Sequence, residues 1–295
     1  MADPTLYGYM LEGALCLAGL ILIGVGCSRY GAAWRRENPG ALAPWPGQAS
    51  ELFLYLFFAL AGGLALPSLT ALALRHTRLD SVETQVWEAF AFQAGMLLGM
   101  RIFSEFHRRL RQQFSAPNPA APNVPSAPAV AAPLPATAHP IRSGVLTFLL
   151  ALPLVFSVSF LWLLLLERCG FTARPQDVVD LFQNIHTPAM RILFVFVAIV
   201  VAPLTEELLF RAGIFRFLNG RLPRGWAVTL SALLFGGMHL LESPADGLGS
   251  FLPLVVLGAV FALAYQRTGR LRTTVVAHAL FNLNTLVALL LGVNS

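Results

Sequence analysis

Residues 144–166 read GVLTFLLALPLVFSVSFLWLLLL, without one charged side chain. About 20 mostly apolar residues suffice for an α-helix to cross the hydrocarbon core of a bilayer. Inside that core the backbone must satisfy its own amide groups, which a helix does within the segment. The stretch therefore predicts a transmembrane helix. Working outward from it, seven more stretches qualify: 6–27, 52–74, 86–104, 190–209, 226–241, 249–266 and 273–292. The third of the eight, 86–104, is the weakest because Glu88, Gln93 and Arg101 interrupt it, and 226–241 is short. Composition agrees: of 295 residues, 56% are hydrophobic and 12% charged, about half the charge of an ordinary soluble domain. The expected fold class is all-α, a polytopic membrane helical bundle.

All 20 basic residues are arginine. The net charge of +5 does not indicate nucleic acid, because the arginines form short clusters between spans rather than one basic face. Their distribution instead predicts orientation, since cytoplasmic connections collect positive charge. The first connection holds Arg29, Arg35 and Arg36; the third Arg108, Arg109, Arg111 and Arg142; the fifth Arg211, Arg216, Arg221 and Arg224; the seventh Arg267, Arg270 and Arg272. The even connections are poorer: Arg75 and Arg78, then Arg168 and Arg174 beside Glu167, Asp177 and Asp180, then none beside Glu242 and Asp246. Both termini are thus expected on the non-cytoplasmic side. The N-terminus lacks the basic n-region of a cleaved signal peptide, so its apolar stretch is expected to remain as an anchor. Cys16, Cys27 and Cys169 show no CxxC or His/Cys spacing, so neither a disulfide framework nor a thiolate metal site is expected.

Residues 116–140 carry eight prolines among alanines, which excludes helix or sheet core and reads as a semi-extended tether. The expected domains are an N-terminal three-helix membrane unit over 1–114, a Pro/Ala-rich linker over 115–143 and a five-helix core over 144–295. In the N-terminal unit Glu12 and Glu88 lie near span ends, within reach of interfacial water, and Gly95 and Gly99 permit close helix approach.

Ionisable groups inside apolar spans are costly and mark function. The core gathers several. The fifth span ends in Glu206-Glu207-Leu208-Leu209-Phe210-Arg211. Two carboxylates side by side in low dielectric resist ionising together. Glu207 and Arg211 share a helix face and can pair, which leaves Glu206 free to handle protons. The sixth span ends in Phe235-Gly236-Gly237-Met238-His239, and the eighth places His278 and Asn282 four apart on one face. These groups suit hydrolysis of an amide bond. A glutamate serves as general base toward water, an imidazole orients that water, and a second imidazole with an Asn amide donates to the oxyanion. Two histidines with a carboxylate equally suit a metal, although no HExxH is present.

EELLFR, FGGMH and HALFN, in that order, resemble the EExxxR, FxxxH and HxxxN motifs of the CAAX-protease and bacteriocin-processing (Abi) family of intramembrane peptidases. The resemblance covers roughly residues 145–292. It implies an all-helical membrane core enclosing a cavity, and a metal-free glutamate mechanism without cofactors. By resemblance, Glu206 is the water-activating base and His239 its partner, while His278 and Asn282 form the oxyanion site. Glu207 and Arg211 brace the first motif, and Phe235 shapes the cavity. The implied partners are a membrane-associated protein or peptide substrate and the lipid bilayer, with no nucleic acid. The lysine-free, proline- and alanine-rich composition points to a GC-rich bacterial genome, so the expected location is a bacterial inner membrane.

Two other classes remain open. A non-catalytic scaffold or immunity protein would keep the fold without needing these side chains. A proton-coupled transporter would use buried carboxylates and histidines as a relay, although no repeat relates the two halves. One tension also stands in the catalytic reading. Glu206 falls one or two turns from the cytoplasmic end of a span closing at 209, whereas His239 lies roughly 20 Å beyond Trp226. Contact between them requires the sixth helix to start deeper or residues 212–225 to dip inward, and the second is expected.

Overall fold

A computed structural model describes residues 4–28, 31, 41–45, 47–114, 139–171, 181–242 and 247–291. Each expected span forms one helix. These are α1 (Pro4–Cys27), α2 (Ala49–Leu74), α3 (Ser81–Phe114), α4 (Pro140–Arg168), α5 (Pro188–Asn219), α6 (Arg224–Glu242), α7 (Gly247–Thr268) and α8 (Leu271–Leu290). By length and composition α2, α4, α5, α7 and α8 can each cross a membrane, and Gly13–Gly26 within α1 is a shorter apolar stretch. No strand occurs among the described residues. The molecule is an all-α membrane bundle.

The chain divides into two compact units, and not where composition suggested. One comprises Met1–Pro44 with Ala138–Ser295, the other Trp45–Thr137. The first helix, expected with 52–104, packs instead on α4. Gly19 makes this approach, because a Cβ there would collide with Ser157 and the Pro153 carbonyl. Ser157, fully buried, donates to the Cys16 carbonyl at 2.9 Å. The expected linker over 115–143 also ends early, since Pro140 opens α4 as its first residue, where a missing N–H costs nothing. Most of that linker, residues 115–138, lies outside the described residues, as do both ends of the chain and the side chains of Glu12 and Cys27.

In the smaller unit α2 and α3 form an antiparallel pair. Gly95 meets the Gly62 backbone and Gly99 that of Phe58, the close approach their spacing allows. Tyr55, Phe103 and His107 continue the contact as an aromatic run, with Glu51 3.5 Å from His107.

In the larger unit α4 is the central helix, meeting α1, α7 and α8. Gly144 lets it lie close to Val276 and Thr273, and Ala151, Leu257, Phe261, Ala277 and Phe281 form the core beyond. A second core of Phe215, Ala227, Ala262 and Tyr265 closes the end of the bundle at the α5–α6 and α7–α8 turns. There Gly269, at φ +62°, ends α7 in the left-handed conformation that glycine adopts freely.

The helix bearing the glutamates is the least regular. Pro203 has no N–H and its ring crowds the preceding turn, so α5 widens to π-helical geometry over Val197–Val201; the helix is π-helical again over Glu207–Phe215. It also runs to Asn219 rather than stopping at 209. Arg211, read as a loop arginine, is 1% exposed inside the bundle. The expected inward dip of 212–225 is therefore replaced by continuous helix to 219 and a tight turn into α6.

Candidate active site

The three motif-bearing helices bring Glu206, Glu207, Arg211, Phe235, His239 and His278 into one cluster, with Asn282 one turn along α8. Glu207 is fully buried; its Oε1 forms an ion pair with Arg211, 3.2 Å from Nη1, and a hydrogen bond with His278 Nδ1 at 2.9 Å. Taking these charges out of water is costly, and only a well-placed partner offsets it. The fold supplies several. The Arg211 guanidinium lies 4.4 Å from the Phe235 ring centre and 5.2 Å from that of Phe261, and its Nη2 approaches the Gly258 carbonyl at 3.4 Å. Cation–π contact is strongest when desolvated in this way.

The same two rings orient the imidazoles. Phe235 lies 5.0 Å from the His239 ring and 6.0 Å from that of His278, while Phe261 lies 5.4 Å from His278. Phe261 belongs to no sequence motif. A phenylalanine in an apolar span carries no mark that separates a site wall from ordinary packing.

The partners fix the tautomers. His239 Nδ1 lies 2.9 Å from the Phe235 carbonyl, which only accepts, so this nitrogen carries the proton. His278 Nδ1 faces Glu207, an acceptor beside Arg211, and carries its proton for the same reason. Both Nε2 atoms are thereby turned to Glu206, whose Oε2 stands 3.9 Å from His239 Nε2 and 3.7 Å from His278 Nε2. That oxygen is buried and has no hydrogen-bond partner among the described residues.

Asn282 is placed differently from the others. Its Nδ2 donates to the Ala198 carbonyl at 2.7 Å. In the π-helical turn the Ala202 N–H bonds to Val197 O, so the next pair in that pattern would be residue 203 to Ala198. Residue 203 is proline and has no N–H to give. One amide hydrogen of Asn282 takes its place and ties α8 to α5. Among the described residues no group of three or more His, Cys, Asp or Glu side chains is arranged to hold a metal ion.

Residues 188–284 match the model of a family described as Rce1-like, type II CAAX prenyl endopeptidase Rce1-like. The matched stretch runs from the start of α5 into α8, is similar to a family of membrane-embedded proteases, and contains all seven site residues. No curated protein and no solved structure matches the chain.

Proposed function

We propose that the chain is an intramembrane endopeptidase that hydrolyses a peptide bond of a membrane-associated protein or peptide, with Glu206 as the base that activates water. One observation supports this reading most: a buried, unpartnered carboxylate oxygen flanked at 3.7 and 3.9 Å by two imidazole nitrogens. These separations exceed a direct hydrogen bond and suit a bridging water.

In the reaction the water oxygen adds to the scissile carbonyl carbon, and one water proton passes to Glu206. His239, with Nδ1–H held by the Phe235 carbonyl, accepts from the water at Nε2 and orients it. His278, when protonated at Nε2, donates to the oxyanion, and the second amide hydrogen of Asn282 is a further donor. Loss of one such donor costs about 3–4 kcal/mol in the barrier. Collapse of the intermediate breaks the carbon–nitrogen bond, and Glu206 returns its proton to the leaving amine. Glu207 and Arg211 hold His278 in register. The scheme uses no metal or cofactor.

The same proposal puts the chain in a bacterial inner membrane with the arginine-bearing turns in the cytoplasm. The α2–α3 unit is then an accessory to the core. The experiment is a comparison of membrane-protein termini in cells carrying wild type, Glu206→Ala or His239→Ala. A protein left uncut in both variants supports the reading; unchanged termini with both variants expressed contradict it.

A further inference from the structure

Both partners of the Glu207 carboxylate described above meet the same atom. Arg211 Nη1 and His278 Nδ1 stand 3.2 and 2.9 Å from Oε1. The other oxygen, Oε2, is buried and has no hydrogen-bond partner among the described residues. An ionised carboxylate accepts at both oxygens, and in a low-dielectric interior an unserved acceptor is costly. Held through one oxygen alone, the group can also turn about that atom and take the His278 ring with it.

A side chain outside the three motifs stands beside this carboxylate. Thr274 lies on α8 four residues before His278, so the two project from one helix face. Both are buried, Thr274 completely. The Thr274 hydroxyl approaches the Glu207 carboxylate and lies 3.0 Å from the Leu271 carbonyl. A threonine within a helix commonly returns its proton to the preceding turn. Here that acceptor needs it least. Leu271 opens α8, and in the α-helical pattern its carbonyl takes the N–H of Val275. The hydroxyl hydrogen rotates to suit its surroundings, and a bond to an ionised acceptor is the stronger of the two on offer.

We propose that Thr274 is a positioning residue of the site: its hydroxyl donates to Glu207 and fixes the carboxylate against which His278 is aligned. Two donors one turn apart on α8 then grip a single carboxylate of α5, and His278 Nε2 is kept facing Glu206. The grip stands on geometry alone. Its consequence for cleavage rests on the endopeptidase reading.

The test separates the hydroxyl from the shape of the side chain. Thr274→Val removes the hydroxyl and keeps the volume; Thr274→Ser and Thr274→Ala both lose the methyl and differ only in the hydroxyl. Thermal unfolding in lipid nanodiscs is expected to place wild type above Thr274→Val, and Thr274→Ser above Thr274→Ala. In a Glu207→Gln background both differences should shrink, because the acceptor no longer carries charge. Thr273→Val is the control, since the Thr273 hydroxyl is buried without a partner, and it should not lower stability. Differences of the same size with Glu207 and with glutamine would mean that the hydroxyl serves Leu271 alone, and would overturn the proposal. So would a valine variant as stable as wild type. On a protein left uncut in Glu206→Ala cells, Thr274→Val is expected to lower kcat about tenfold, as for one lost hydrogen bond to a charged group. KM should stay unchanged, and Thr274→Ser should restore most of the rate. A valine variant that alters only KM, or neither constant, overturns the positioning role. Unfolding does not depend on hydrolysis, so a Glu206→Ala protein that still cut substrate would remove the proposed mechanism and leave the Thr274 contact to be decided by stability.

Discussion

The side-chain amide of Asn282 lies 2.7 Å from the carbonyl of Ala198, whose donor in the π-helical pattern would be residue 203, a proline without an N–H. A defect that proline introduces in one helix is thus repaired by a side chain of another, one turn from His278. A buried acceptor left unpaired costs about 1–3 kcal/mol. Asn282→Ala is therefore expected to lower the thermal unfolding temperature of the detergent-solubilised protein. Pro203→Ala restores an N–H at 203, so Asn282→Ala should cost less in that background. Strict additivity of the two substitutions would show that no such repair exists.

Arg211 is 1% exposed, pairs with Glu207 and is held between two phenylalanine rings. Arg211→Ala leaves a fully buried carboxylate without its cation, a loss of about 3–5 kcal/mol of stability. Arg211→Lys keeps the charge but not the flat guanidinium that the rings enclose, and should fall between. Urea or thermal unfolding of both variants checks this order. A lysine variant as stable as wild type would mean that charge alone suffices.

His278 has two nitrogens with separate tasks, Nδ1 toward Glu207 at 2.9 Å and Nε2 toward Glu206 at 3.7 Å. An asparagine amide nitrogen falls near the first position and a glutamine amide nitrogen near the second. His278→Asn is expected to keep most of the stability and lose cleavage by about 10²-fold or more, the scale of one oxyanion donor. His278→Gln should lose stability first, because Glu207 is left short of a donor. Equal stability of the two variants would contradict the division.

Much of this architecture is legible in the sequence for a simple reason: apolar length dictates a membrane helix, and among the described residues each apolar stretch lies on a helix, five of these being long and apolar enough to cross a membrane. The Glu207–Arg211 pair was legible too, since a four-residue separation on a helix is a local relation. What was not legible depends on partners distant in the chain. Arg211 and Arg216 looked like loop charges, so α5 was read as ending ten residues early. Nothing local says that Phe235 and Phe261 will enclose an arginine. The placement of α1 on α4 turns on Gly19 and Ser157, whose meeting no periodicity announces. The role of Asn282 required knowing which carbonyl Pro203 would strand.

The central claim is that Glu206 activates the attacking water. It is tested most directly with purified protein in lipid nanodiscs and a substrate found by comparing membrane-protein termini. Glu206→Gln keeps the size and the hydrogen-bonding capacity of the side chain but cannot take a proton. Its cleavage rate is expected to fall by about 10²–10⁴-fold, the range of general-base catalysis, with thermal unfolding unchanged. Cleavage at the wild-type rate by a folded Glu206→Gln protein would contradict the account.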